Sequence, residues 1–148
     1  MATVLEVINA YKPGQGGIDE GGFKVITSTP DYLYVQFESG KRGYVDDFEI
    51  ALVGDGKVLG THLTQFACFT STNVQMLTQQ ALVVRSSSRL GYLDFGVNAK
   101  RINYIASQLN EYEGWKCSRI TKETHPEYVA QNSGKEKDVP QQGTWLAQ

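Results

Sequence analysis

The chain has 148 residues, of which 41% are hydrophobic and 20% are charged, and its net charge is -2. This length fits one domain, and the composition is that of a soluble globular protein. The weak net charge offers no basic field to nucleic acid or anionic lipid, and no run of about 18 apolar residues could span a membrane. The first nine residues also lack the basic cluster and long apolar segment of a secretory signal.

Residues 1–22 are predicted to form an N-terminal arm. Residues 4–11 could form a short strand or one helical turn, and the glycines between Pro13 and Phe23 leave little side chain to pack. A phosphate-binding loop is not indicated, because neither a Gly-Lys-Ser/Thr ending nor a helix start follows these glycines. We expect a flexible connector or an arm that lies along a partner surface.

Alternation of apolar and polar residues begins at Phe23 and predicts three strands, over residues 23–27, 32–38 and 44–52. Turn residues separate these strands, which indicates an antiparallel meander. Residues 59–80 carry the weakest pattern and are predicted as an insertion, with one more strand or hairpin around the apolar residues 66–69. Residues 81–89 alternate clearly again and predict the next strand.

One main helix is predicted over residues 98–112, with Asn98 as its cap. Its apolar residues recur at three- and four-residue steps and form one stripe that should face a sheet. A final edge strand is predicted over residues 115–120, and the polar residues 122–148 are predicted as an extended C-terminal tail. The sequence therefore predicts an α+β fold: one domain over residues 23–121, with an antiparallel sheet of about five strands and one main helix packed on one face.

Charged residues on two of the predicted strands suggest a network across the sheet. Asp47 and Glu49 share one face of the third strand, and Arg85 and Arg89 share one face of the strand over residues 81–89. If these strands pair, carboxylates and guanidinium groups would form ion pairs that fix the register. Asp46 points to the other face, so Asp46 and Asp47 cannot act as an acid/base pair on one substrate.

The alternative interpretation of these polar residues is a site for a small anionic or polar ligand, in a binding domain or an uncharacterised enzyme. Asp94 should lie near the helix start, where its charge suits the helix dipole. The candidate ligand-binding residues are Arg85, Arg89, Arg101, Ser86, Ser88, Asp46, Asp47, Glu49, Asp94 and Asn98. No catalytic residue is assigned, because no nucleophile elbow surrounds the three consecutive serines, and no metal-ligand spacing or cofactor motif is present.

The two cysteines, Cys68 and Cys117, are far apart and fit no Cys-x-x-Cys pattern. Each lies beside apolar or aromatic residues, so we expect two small, buried, unpaired thiols. A disulfide between them, which would require an oxidising compartment, is the alternative.

Two motifs resemble those of a known family, domain-of-unknown-function family 1499. The longer one begins on the arginine strand and ends in the helix, and it reads Arg85-Ser86-x-Ser88-Arg89-x-Gly91-x-x-Asp94-x-Gly96-Val97-Asn98-x-x-Arg101-Ile102. The shorter one, Tyr44-Val45-Asp46-Asp47-Phe48-Glu49, resembles the family's Phe-Val-Asp-Asp-x-Glu strand. The likeness covers residues 31–109 with a break at residues 59–80, which are longer than the family's link. The family's N-terminal helix is not recognisable here, and the C-terminal tail is extra.

The resemblance implies a fold region and no established activity. It also implies a distribution over bacteria, cyanobacteria and plastid-bearing eukaryotes. Our leading hypothesis is a non-catalytic accessory subunit of a plastid photosynthetic complex, such as a photosystem, which docks on protein subunits through the arm, the insertion and the tail, including Trp145. It would lie in the chloroplast, peripheral to the thylakoid membrane and touching it only through the complex. Such a subunit should have paired arginines, whereas a ligand site should leave more than one arginine free at a concave surface.

Overall fold

The computed structural model describes residues 1–53, 66–70, 80–90 and 94–132, and of residues 66–70 and 80 it describes the backbone. The predicted contacts of Trp145, most of the insertion and the tail beyond residue 132 lie outside these ranges. The elements in chain order are α1 (Ala2–Asn9), a 3-10 turn (Gln15–Gly17), β1 (Gly22–Ser28), β2 (Tyr32–Glu38), β3 (Val45–Val53), β4 (Phe66–Thr70), β5 (Gln80–Ser88), α2 (Val97–Leu109), β6 (Trp115–Cys117) and α3 (Pro126–Asn132).

The strands form one six-stranded sheet in the order β1-β2-β3-β5-β4-β6, and every neighbouring pair is antiparallel. The predicted meander is present as β1, β2 and β3. The apolar run in the insertion forms β4, which pairs with β5 on one side and β6 on the other. The α+β prediction is therefore confirmed, with one strand more than expected because both of the weakly patterned segments pair.

One face of the sheet carries the hydrophobic core, as the alternation along the strands dictates. Even-numbered residues of β3 and β5 and odd-numbered residues of β2 point to this face. Helix α2 packs against them through the apolar residues Ile102, Ile105 and Leu109. The largest fully buried apolar side chains of these elements are Leu33, Val35, Phe37, Phe48, Ile50, Leu82, Ile102 and Leu109, each exposed by 1% or less. The opposite face, called here the open face, carries the polar residues of the same strands.

The N-terminal residues are part of this core, which corrects the prediction of an arm over residues 1–22. Helix α1 buries Val4, Val7 and Ile8 in the same cluster as the sheet and α2, and Tyr11 follows them. These four residues have the i, i+3, i+4, i+7 spacing of one helical face. The prediction was wrong because a helix of only eight residues shows this spacing once, and the glycine-rich loop that follows it is typical of a flexible arm.

The helix boundaries and the tail also differ from the prediction. Helix α2 runs from Val97 to Leu109, so Tyr112 lies beyond its end and is 41% exposed rather than part of the apolar stripe. The predicted tail contains helix α3, whose Tyr128 packs against the core. None of the helices in the described part of the chain has the length and apolar character needed to cross a bilayer.

Strand β6 carries a disulfide-bonded cysteine, Cys117. The sequence contains one other cysteine, Cys68, and its Cα lies directly opposite Cys117 in the β4–β6 pairing. The prediction of an unpaired thiol is therefore wrong for Cys117. The pairing of β4 with β6 brings together two residues that are 49 positions apart in the sequence. No cysteine-spacing rule predicts a disulfide from that separation.

Candidate functional site

The structure divides the ten candidate residues among three places rather than one. The division follows from the pleat of the strands, because neighbouring residues point to opposite faces. The open face carries Asp47, Glu49, Arg85 and Arg89; the covered face carries Asp46, Ser86 and Ser88 on the strands with Asn98 and Arg101 on α2; and Asp94 lies before the start of α2.

On the open face, Glu49 joins a tyrosine to an arginine across three strands. Arg85 is directly opposite Glu49 in the β3–β5 register, and its Nη1 donates to Glu49 Oε1 at 2.7 Å. From the other side, the Tyr32 hydroxyl donates to Glu49 Oε2 at 3.0 Å. Burial and the neighbouring carboxylate raise the pKa of Tyr32, so its hydroxyl keeps the proton that it donates.

A second set lies beside the first: Tyr34 and Asp47 are two residues from Tyr32 and Glu49, and Arg89 is four residues from Arg85. Arg89 donates to Asp47 through two nitrogens: Nη2 lies 2.8 Å from Oδ1, and Nε lies 3.0 Å from Oδ2. The Tyr34 hydroxyl donates to Asp47 Oδ1 at 2.6 Å and accepts from Arg89 Nη2 and Gln36 Nε2. The hydrogen bonds from Arg89 hold the pKa of Asp47 below its usual value, against the opposing effect of partial burial. Both predicted ion pairs across the sheet are therefore present.

On the covered face, Arg101 is fully buried at the centre of a polar cluster. Its Nε and Nη2 donate to Asp19, Nη2 also donates to Asp46 Oδ2 at 2.8 Å, and Nη1 donates to Asn98 Oδ1 and Ser86 Oγ at 2.7 and 3.0 Å. All five guanidinium N–H groups thus have an acceptor. The guanidinium carbon also lies 4.6 Å from the ring centroid of Phe37. These carboxylates raise the pKa of Arg101 although burial alone would lower it.

Two residues of this cluster were not identified from the sequence. Asp19 is 4% exposed and accepts a hydrogen bond from the Tyr11 hydroxyl at 2.6 Å, in addition to the two bonds from Arg101. Burial, then the bond to Asp19, raises the pKa of Tyr11 far above its ordinary value. Asp19 has a left-handed backbone, with φ of 56°, after the glycine-rich turn. Tyr11 could have been found from its spacing, because it continues the buried apolar face of α1. Nothing in the local sequence pattern indicates that Asp19 is buried.

Asp94 performs the capping that was predicted for Asn98, and that prediction is wrong. Its carboxylate accepts the backbone N–H groups of Gly96 and Asn98 at 2.9 and 3.1 Å, before the first turn of α2. The Tyr128 hydroxyl of α3 donates to the same carboxylate at 2.7 Å. Asn98 lies inside the helix, and its side chain is committed to Arg101 and Ser86. The physical reason is that Gly96, with φ of 77°, starts the helix two residues earlier than Asn98.

These contacts limit the chemistry that the cluster residues can perform. A cavity of about 10 Å³ between α2 and the sheet is lined by apolar side chains and could hold one water molecule at most. Within the described ranges, no three His, Cys, Asp or Glu side chains converge as metal ligands. Each of the three candidate arginines already has at least one carboxylate partner in the chain.

The family model described as "Protein of unknown function (DUF1499)" matches residues 67–109 of the chain, which confirms the resemblance over that region. The match includes β5, the turn that holds Asp94 and the whole of α2, and therefore Arg85, Arg89 and Arg101. No curated protein and no solved structure matches the chain.

Proposed function

We propose that this chain, whose residues 67–109 match the DUF1499 family model, is a non-catalytic accessory subunit that docks on the protein subunits of a larger assembly. The observation that carries the proposal is the open face, where two Tyr–carboxylate–Arg sets are held in fixed positions on three neighbouring strands. Both guanidinium groups are held by carboxylates while 47% of each arginine side chain stays exposed.

The residue types of this face favour a protein partner. Tyrosine and arginine are the side chains most enriched at the energetic centres of protein interfaces. Because hydrogen bonds already fix Tyr32, Tyr34, Arg85 and Arg89, little side-chain entropy is lost when a partner covers them. The paired state of all three arginines gives less support to the alternative, an anion-binding or enzymatic site, which requires free donors.

The host that we propose is a plastid photosynthetic complex, with the chain in the chloroplast and peripheral to the thylakoid membrane. The support is the distribution that the resemblance implies, which includes cyanobacteria and plastid-bearing eukaryotes. The partner contacts predicted for the insertion and the tail fall mainly outside the described ranges and remain part of this proposal. The contact predicted for residues 1–22 is replaced by the open face, since α1 is buried in the core.

The test is co-migration of the full chain with a defined complex. The tagged chain is added to detergent-solubilised thylakoid membranes and, separately, to soluble extract of a plastid-bearing alga, and both are fractionated by native electrophoresis. We expect the chain to migrate with a chlorophyll-containing complex at a fixed ratio to its subunits, measured by quantitative mass spectrometry. The double variant Arg85→Ala/Arg89→Ala should lose this co-migration and remain folded, because exposed ion pairs contribute only about 0–1 kcal/mol each.

The matched control is Lys12→Ala/Lys100→Ala, which also removes two exposed positive charges but lies outside the sheet. This variant should migrate as the unmodified chain does. Migration of the unmodified chain as a free monomer in both extracts would contradict the docking function, and migration with a complex of another kind would contradict the host. Truncation of residues 1–22 is not a useful variant, because it removes α1 and Asp19 from the core.

A further inference from the structure

One end of the covered face has polar atoms that the cluster around Arg101 leaves without a partner. Asp46 and Ser88 are opposite each other in the last pair of the β3–β5 register. Asp46 is 8% exposed, and one of its oxygens, Oδ2, accepts from Arg101. Among the described residues, nothing donates to its other oxygen, Oδ1, and the Ser88 hydroxyl makes no hydrogen bond.

Asn98 has a free polar atom in the same cluster. Its Oδ1 must be the atom that faces Arg101, because a guanidinium group can only donate. The amide nitrogen Nδ2 is therefore the atom left over, and within the described residues it has no acceptor. Asp46 keeps 8% of its surface exposed and Asn98 keeps 3%, so Asn98 is the less accessible of the two residues.

The buried charges of the cluster do not balance. Arg101 contributes one positive charge, and Asp19 and Asp46 contribute two negative charges, so the ionised cluster has a net charge of -1. Both oxygens of Asp19 are occupied by Arg101 and by Tyr11, which donates a proton without contributing charge. The uncompensated charge is therefore available at Asp46 Oδ1. An anion would be repelled here, whereas a cation would be attracted.

The rim of this end is apolar and exposed. The N–H of Arg89 donates to the carbonyl of Val45, which extends the β3–β5 pairing and brings Tyr44 and Leu90 to the same end of the two strands. Leu90 is 63% exposed and Tyr44 is 42% exposed. The guanidinium carbon of Arg42 lies 5.9 Å from the Tyr44 ring centroid, so this rim already holds one cation against an aromatic ring. An apolar rim around an acceptor suits the aliphatic stem and charged head of a basic side chain.

We infer that this end of the sheet, the Asp46 site, receives a lysine or arginine side chain from a protein partner; the protein nature of the partner rests on the proposed docking function. The charged head donates to Asp46 Oδ1 and Ser88 Oγ, and the stem lies against Tyr44 and Leu90. A main-chain carbonyl of the same partner accepts from Asn98 Nδ2, which a free metal or ammonium ion could not provide. The Asp46 site and the open face lie on opposite sides of the sheet and are separate contact points.

The test uses nuclear magnetic resonance on the full, isotope-labelled chain. The probes are N-acetyl-arginine methylamide and N-acetyl-lysine methylamide, each a basic side chain with its own peptide groups, and the matched probes are the glutamine and glutamate methylamides. The basic probes should shift the amide resonances of Asp46, Ser88 and Leu90 in a saturable way. The glutamate probe should leave them unchanged, and the glutamine probe should bind more weakly than either basic probe.

Two variants and one control decide the assignment. Asp46→Asn should weaken the basic probes by at least about tenfold, since it removes the charge of the site. Ser88→Ala should weaken them about three- to tenfold without affecting folding, because this hydroxyl has no intramolecular bond to lose. Asp47→Asn changes the adjacent carboxylate on the open face and should leave binding unchanged. Equal shifts with the glutamate probe, or unaltered affinity in both Asp46→Asn and Ser88→Ala, would overturn the inference.

This experiment can fail independently of the docking proposal. If the basic probes bind as expected and the chain still migrates alone in native extracts, the docking function fails and a cation site stands. If the chain migrates with a complex and no probe shifts these resonances, the docking function stands and the Asp46 site is rejected.

Discussion

Arg85, Arg89 and Arg101 have different physical environments, although they lie within 17 residues of one another. Arg85 projects from β5 and Arg89 from the residue after its end, and both enter half-exposed ion pairs, where water screens much of the attraction. Arg101 projects from α2 towards the covered face and is fully buried, and a buried charge is tolerated only if it is paired and fully hydrogen-bonded. The stability of the fold should therefore depend on Arg101 far more than on the other two.

Replacement of Arg101 by methionine tests this difference. The variant leaves Asp19 and Asp46 buried without their cation, so we expect a loss of about 3–5 kcal/mol in the free energy of unfolding. The matched control, Arg89→Met, breaks an exposed ion pair and should cost at most about 1 kcal/mol. Urea unfolding followed by tryptophan fluorescence measures both. Similar losses in the two variants would show that the cluster does not support the fold.

Several of these residue-level features were predictable and others were not. The strand alternation correctly separated Asp46 from Asp47 and predicted the partners of Arg85 and Arg89, because period-two patterning fixes the face of every residue once two strands pair. The partner Asp19 was not predictable, because it lies 82 residues from Arg101 and reaches it through a turn whose left-handed backbone has no periodic signal.

At the scale of elements, long patterned segments were predictable and short ones were not. Strand β2 and the buried stripe of α2 repeat their period several times, so local pattern and tertiary packing agree. Helix α1 has too few residues for such repetition, and the start of α2 depends on Gly96 and the Asp94 carboxylate rather than on Asn98. Helix α3, in turn, is held by the Tyr128–Asp94 hydrogen bond, a contact between segments 34 residues apart.

The contribution of α1 can be measured with one substitution. Ile8 is fully buried in the core, so Ile8→Ala should lower the free energy of unfolding by about 2–5 kcal/mol. Glu6 lies on the exposed side of the same helix, and Glu6→Ala should change the free energy by no more than about 0.5 kcal/mol. Chemical unfolding of the full chain measures both values. A negligible effect of Ile8→Ala would mean that residues 1–22 are an arm after all.

At the scale of the whole molecule, the sheet separates two kinds of polar group. The open face holds ion pairs that remain accessible to a partner, and the covered face holds the cluster that joins α1, the sheet and α2 through Tyr11, Asp19, Asp46 and Arg101. Tyr128 links α3 to the start of α2 in the same way. Two hydroxyl–carboxylate bonds therefore supplement the apolar packing. One joins Tyr11, after α1, to the Asp19 turn, the other joins α3 to the start of α2, and both require protonated tyrosines.

This requirement predicts how stability depends on alkaline pH. Burial raises the pKa values of Tyr11 and Tyr128 well above the ordinary value of about 10, and a hydrogen bond to a carboxylate raises them further. A pKa that is higher in the folded state than in the unfolded state contributes stability that is complete below pH 10 and is lost as the pH rises above it. We therefore expect the free energy of unfolding to fall steadily above about pH 10.

Tyrosinate absorbance provides the measurement, because it follows the ionisation of tyrosine hydroxyls directly. Tyr11 and Tyr128 should form a late class that ionises only together with the loss of far-ultraviolet circular dichroism. In Tyr11→Phe the late class should shrink by one tyrosine, and the decline of stability above pH 10 should become less steep, since one linked proton is gone. Ionisation of all tyrosines in a single step with the fold intact would show that these hydroxyl–carboxylate bonds do not stabilise the fold.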